Sequence, residues 1–164
     1  MDFKMNELNE QIASLLKTGG QPEAALAATL SAVLRHFRSE TGTIHRLDAG
    51  KQLLQLVAQA GLPLQILEVV KTVPVGKGIA GQVVARGGPV TLCNLQTDTS
   101  GVARSGAKQT GVGGAVCVPV RLGGNTGKIV GTFGIGTVRE RDYSAAEINA
   151  LQDLAKSLAD ALKS

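Results

Sequence analysis

Gly76-Lys77-Gly78-Ile79-Ala80-Gly81 lies between the apolar, β-branched run Val69 to Val75 and a short helix-like run that ends at Arg86. The pattern G-x-G-x-x-G is shared with nucleotide-binding loops. Glycine permits positive φ and close backbone approach, and a helix N-terminus turns unpaired N–H groups toward whatever precedes it, so the turn suits an anion. Its surroundings, however, exclude dinucleotide chemistry. That fold needs a full-length helix after the glycines and then a parallel strand carrying an acidic residue at its tip. Here Gly87-Gly88-Pro89 ends the helix early, the strand candidate Val90 to Cys93 is short, and Asp98 lies beyond it in a polar loop. Counting on through Val83 gives the G-x-G-x-x-G-x-V of protein kinases, yet no V-A-I-K, H-R-D or D-F-G element follows.

At 164 residues the chain is long enough to bury a core without disulfide staples. Its N-terminus is charged where a signal peptide requires an apolar stretch, and no apolar run approaches the ~20 residues of a membrane span. The expectation is a soluble, cytoplasmic protein. Cys93 and Cys117 both fall in apolar, strand-like runs, which points to buried reduced thiols rather than a disulfide framework. The net charge of +4 is unevenly placed. From Lys71 to Arg141 the bases Lys71, Lys77, Arg86, Arg104, Lys108, Arg121, Lys128, Arg139 and Arg141 face only Asp98 and Glu140. The segments around the glycine turn are therefore electropositive, as an anionic ligand would require.

Outward from the turn, the periodicities define the elements. Met5, Leu8, Ile12, Leu15 and Leu16 recur at helical spacing until Gly19-Gly20. Pro22 suits the first turn of a second helix with apolar positions Leu26, Leu30, Val33, Leu34 and Phe37. Thr43 to Leu47 and Gln52 to Ala60 read as a hairpin joined through Asp48-Ala49-Gly50-Lys51. A strand from the Val69 to Val75 run, the glycine turn, its short helix and Val90 to Cys93 follow. Asn94 to Gly113 is a long polar loop, of a length that usually serves function or is disordered, and it carries Asp98, Arg104 and Lys108. Gly114 to Arg121 and Lys128 to Thr137 flank Gly123-Gly124-Asn125-Thr126-Gly127 as a second hairpin, apolar enough to be covered on both faces. Ser144 with Glu147 forms a capping box, Tyr143 and Ile148 a hydrophobic staple, and the last helix runs on to the C-terminus through Leu151, Leu154, Ala155, Leu158 and Leu162. The element order predicts an α+β fold, one antiparallel sheet between helices, with a ligand-sized face.

The segment Val73 to Val90, followed by a polar loop and then Ala115-Val116-Cys117-Val118-Pro119-Val120, closely resembles GAF domains. The similarity covers nearly the whole chain, with residues 1–20 as an N-terminal helix and 21–164 as the domain. It implies a PAS-like antiparallel sheet of about six strands, helices from both chain ends on one face and a small-molecule pocket on the other. In that family the pocket is roofed by the helix corresponding to Gly78 to Arg86 and by the loop corresponding to Asn94 to Gly113. Subfamily signatures are missing. No cyclic-nucleotide series is present, neither cysteine has the context of a bilin attachment site, and His36 and His45 lack the pairing that would single out a haem or metal ligand. Free methionine sulfoxide reductases resemble the chain in the glycine turn but carry a cysteine where Ala80 stands, and further cysteines in a loop that has none here. Thiol redox catalysis needs an exposed, low-pKa thiolate with a resolving partner.

Three functions follow as expectations. The first is a non-catalytic sensory or regulatory domain in signal transduction that binds a small, anionic ligand. Its candidate contacts are Gly78, Ile79, Ala80 and Gly81 at the helix N-terminus, Asp98, Arg104 and Lys108 in the loop, and Cys117; the identity of any cofactor is open. The second is a dimerisation or protein-interaction module with a vestigial pocket. Under either reading a homodimer is expected, through the apolar stripes of the terminal helices, with a separate signalling output protein as a possible partner and neither membrane nor nucleic acid. The third, a sulfoxide reductase, is disfavoured by Ala80. No metal site or catalytic residue is expected, and no hydrolase or zinc motif occurs in the chain.

Overall fold

The computed structural model describes residues 3–17, 22–92, 113–124 and 126–163. Two helices open the chain, α1 (Phe3–Lys17) and α2 (Pro22–His36), followed by the hairpin β1 (Thr41–Asp48) and β2 (Leu53–Ala60). Then come α3 (Leu64–Val70), β3 (Thr72–Pro74), α4 (Gly78–Arg86) and β4 (Val90–Leu92). The second hairpin, β5 (Ala115–Leu122) and β6 (Lys128–Gly136), leads into α5 (Ala145–Lys156) and α6 (Ala159–Leu162). The strands form one six-stranded antiparallel sheet in the order β3-β2-β1-β6-β5-β4. This is the α+β architecture expected from the sequence.

Side chains alternate across a strand, so β1, β5 and β6 divide their residues between two environments. Ile44, Val116, Val118, Phe133 and Ile135 enter the main core with Leu26, Leu30 and Val33 of α2, Leu151, Leu154 and Ala155 of α5, Leu158, and Leu162 of α6. Met5, Leu8 and Ile12 of α1 join the same core. Most residues of the terminal helices' apolar stripes are therefore buried in the chain's own interior. At the entry to α5, the Ser144 hydroxyl accepts from the Glu147 N–H while the Glu147 carboxylate accepts from the Ser144 N–H. Tyr143 is buried and Ile148 packs against the core, in keeping with a staple at this helix start. Arg141 ties the same corner to the end of α2: its guanidinium donates to the Phe37 carbonyl and to Glu147, and lies over the Tyr143 ring.

Two elements depart from the sequence reading. The run Val69 to Val75 is not one strand. Val69 and Val70 close the helix α3, and only Thr72 to Pro74 pair with β2. Apolar residues fill so many positions of Leu64-Gln65-Ile66-Leu67-Glu68-Val69-Val70 that helical periodicity is lost, although Pro63 stands at its N-cap. The final helix is also interrupted, with α5 ending at Lys156 and the single turn α6 resuming at Ala159. The Arg46 guanidinium donates to the Ala161 and Leu162 carbonyls, supplying partners to the last turn. A smaller difference is that β1 begins at Thr41, earlier than its apolar pattern suggests.

The glycine turn is a compact knot of backbone. A Cβ on Gly81 would lie 2.4 Å from the Pro74 carbonyl oxygen, so only glycine lets the first turn of α4 close on β3. The Gly76 N–H donates to the Gly81 carbonyl at 2.9 Å, and Gln82 Nε2 donates to the Gly76 carbonyl at 2.7 Å. Gly87 then ends α4 in the left-handed conformation, its N–H bonded to the Val83 carbonyl. No described helix is long and apolar enough to cross a membrane.

Candidate functional site

The sheet face opposite the main core carries shorter and more polar side chains: Thr41, Thr43 and His45 on β1, Thr132, Gly134 and Gly136 on β6, and Ala115 and Cys117 on β5. Above this face lie α3 and α4. Between them is a cavity of about 140 Å³, walled by Leu62, Val69, Val70 and Val73 on one side and by Gly78, Ile79 and Ala80 of α4 on another. An apolar cavity of about 150 Å³ accepts a single aromatic ring, so the space is scaled to a small molecule. Among the described residues that line it, none carries a formal charge. The first turn of α4 has no side-chain cap, its N-cap being the exposed Lys77. Its leading N–H groups are thus available at the cavity edge.

His45 is the polar side chain set deepest in this wall, with 2% of its surface exposed. Its Nε2 lies 2.8 Å from the Val70 carbonyl oxygen at the end of α3. A carbonyl only accepts, so Nε2 carries the hydrogen and the neutral ring presents a bare Nδ1. Burial pushes the His45 pKa below the ordinary histidine value, against a smaller opposing effect of the Val70 hydrogen bond. The buried Nδ1 has no hydrogen-bond partner, and neither does the buried hydroxyl of Thr132, its cross-strand neighbour on β6. Cys117 faces the same space. Burial drives its thiol pKa up to about 12, and the Thr132 hydroxyl, close enough to oppose that rise, does not complete a hydrogen bond. A thiol so held is protonated at neutral pH and a poor nucleophile.

Of the residues singled out in the sequence, Gly78, Ile79, Ala80 and Cys117 come together around the cavity. Gly81 is buried in the turn and shapes the approach of α4 to β3. Asp98, Arg104, Lys108 and Cys93 lie outside the described residues. The sequence reading does not single out Thr41, Thr43 and His45, all cavity-lining, or the α3 wall. The available signal is alternation in Thr41-Gly42-Thr43-Ile44-His45, where every second residue is polar. His36, by contrast, packs edge-on against Phe37 in the α2 region. Among the described residues no cluster of histidine, cysteine and carboxylates is placed to hold a metal ion.

The GAF domain family profile matches residues 21–163. The chain belongs to the GAF domain family. GAF domains are sensing and regulatory modules at the level of the family, and the sheet, the terminal helices on one face and the cavity on the other agree with that assignment. Solved structures repeat the fold. The GAF domain of an Acinetobacter phosphoenolpyruvate-protein phosphotransferase superposes with a TM-score of 0.79 at 20% identity, over 99% of this chain and 94% of that one. The free methionine-R-sulfoxide reductase of Neisseria meningitidis, in complex with its substrate, does so with a TM-score of 0.75 at 19% identity, over 96% and 87%. A putative GAF sensor protein from Burkholderia vietnamiensis gives 0.75 at 15% identity, over 95% and 91%. At such identities the likeness establishes the fold alone. No curated protein matches the chain at a significant level.

Proposed function

We propose that this GAF domain is a non-catalytic sensory module that holds a small, anionic ligand between the sheet and α4. The observation that carries the reading is the cavity itself. It is apolar, scaled to a small molecule, edged by the uncapped N-terminus of a nine-residue helix and backed by a buried histidine whose Nδ1 has no partner. Uncapped helix N–H groups favour negative charge. Arg104 and Lys108 are the proposed cationic contacts, and Asp98 a further proposed contact, from the polar segment between β4 and β5. Two features support a binding rather than a catalytic role: Ala80 stands where the resembling reductases place a cysteine, and the Cys117 thiol is buried and protonated. The partners this reading calls for are the ligand and a separate output protein. A homodimer is part of the same proposal; because Met5, Leu8 and Ile12 of α1 and Leu151 and Ala155 of α5 pack in the chain's own core, it would draw on the remaining surface of the chain.

Native mass spectrometry of freshly purified protein tests the proposal. The expected result is a mass increment on the folded chain that disappears on denaturation, and an affinity for that molecule that falls when Arg104 and Lys108 lose their charge. A bare mass, with no thermal shift across a panel of small metabolite acids, would count against a ligand. An NADPH-coupled assay with free methionine sulfoxide is expected to show no turnover. Turnover abolished in a Cys93→Ala, Cys117→Ala double variant would overturn the non-catalytic reading.

A further inference from the structure

We infer that the buried end of the ligand is a hydrogen-bond donor, a hydroxyl, amide or ring N–H, received by Nδ1 of His45. The inference rests on the ligand-pocket reading above and specifies the chemistry of its inner end. His45 and Thr132 are a directly opposed pair on β1 and β6, and each has a buried polar atom with no protein partner. Buried polar atoms in folded proteins are nearly always satisfied, so the orphaned Nδ1 on the cavity-lining His45 marks a place where something else supplies the bond. The Val70 carbonyl decides what that is. By engaging Nε2–H it fixes the tautomer and leaves Nδ1 with a bare lone pair that only a donor can satisfy. Of the two residues His45 lines the cavity, and the walls it shares with Leu62, Val69, Val70 and Val73 are aliphatic. A carboxylate, ether or ketone oxygen at this position would meet the Nδ1 lone pair unfavourably. The anionic end of the ligand therefore lies toward α4, and a donor lies at the opposite end.

Phenol and toluene, matched in heavy-atom count and differing in one O–H, are the probes. In a purely apolar cavity toluene binds more tightly, because more of its surface is driven from water. The His45 acceptor reverses that order, with phenol expected to bind about three- to tenfold more tightly than toluene. Phenol should also move the ¹⁵N resonance of His45 Nδ1 while leaving Nε2 nearly in place. His45→Phe is expected to restore the preference for toluene. Tighter binding of toluene by the unaltered protein would overturn the inference and leave the pocket reading standing. So would a phenol preference that Thr132→Val abolishes while the Nδ1 resonance never moves. Binding of neither compound at millimolar concentration would overturn the pocket reading, and this inference with it. The resonance of the unaltered protein separates these outcomes even where a variant fails to fold.

Discussion

The two faces of the sheet use the same strands and are built to opposite ends. On the face covered by α2, α5 and α6, β1, β5 and β6 present Ile44, Val116, Val118, Phe133 and Ile135, all at most 3% exposed and packed against helical leucines. On the other face the alternate positions are threonine, histidine, cysteine, alanine and glycine, and space remains above them. Close packing stabilises the first face and leaves no room for a guest. The second face forgoes that packing, and its unfilled volume and unpartnered Nδ1 and hydroxyl are what a ligand can use. Under the proposed function, stability and binding are thereby separated residue by residue along single strands.

The largest effect should come from emptying the packed face. Phe133→Ala is expected to cost about 3–5 kcal/mol in chemical denaturation, because a fully buried ring is replaced by a void. A cost below about 1 kcal/mol would mean that this face is not the densely packed one. The contrast sharpens with one methyl group added to each side. At Gly42 a Cβ would stand 2.6 Å from Leu30 Cδ1 and 3.2 Å from Leu34 Cδ2, so Gly42→Ala should lose about 1–3 kcal/mol through overpacking. At Gly134, on the neighbouring strand and the opposite face, a Cβ meets Cys117 Sγ and Thr43 Oγ1 at 3.4 Å, ordinary contact distance. Gly134→Ala should change stability by about 0.5 kcal/mol or less while reducing affinity for phenol. Equal destabilisation by the two would erase the distinction between the faces.

Removing the helix cap on the packed side is a milder perturbation. Ser144→Ala should cost about 1 kcal/mol, as it removes the hydroxyl that accepts from the Glu147 N–H and keeps only the backbone half of the capping box. The smallest effects expected are those of pH, and they also separate the faces. His45, on the cavity side, has a folded pKa below 6.5, so the unfolded chain takes up the proton first. Its contribution is complete above about 6.5 and is lost as pH falls below that value. Cys117, across the sheet on the same face, stays protonated throughout this range. For Glu147, on the helical side, burial alone would raise the carboxyl pKa. The Ser144 N–H and the Arg141 guanidinium outweigh burial and hold it below 4.5. Its contribution is present above about 4.5 and lost below. Denaturation midpoints against pH should show the first decline vanish in His45→Gln and the second in Glu147→Gln.

Much of the fold was legible because its signals are local. The glycines of the β5–β6 turn and the Ser144–Glu147 box each act within a few residues, and each occurs where expected. The helix α3 was not legible. Its seven residues are held by burial of Ile66 and by packing beside the sheet, with no side-chain cap to announce them. The site was half legible for the same reason. Gly78, Ile79 and Ala80 stood out through the glycine pattern, whereas His45 carries no motif and gains its meaning from Val70, which is 25 residues away.

The sequence by itself determined which residues could share a face, where the glycine turn and the caps fall, and that the chain is built as a GAF domain, since periodicity and turn chemistry depend on near neighbours along the chain. Only the tertiary structure decided which face would be filled by helices and which left open. It also decided that a carbonyl at the end of α3 would fix the tautomer of a histidine on β1. Burial and hydrogen bonding between distant segments are set by how the elements pack, and no spacing along the chain encodes that directly.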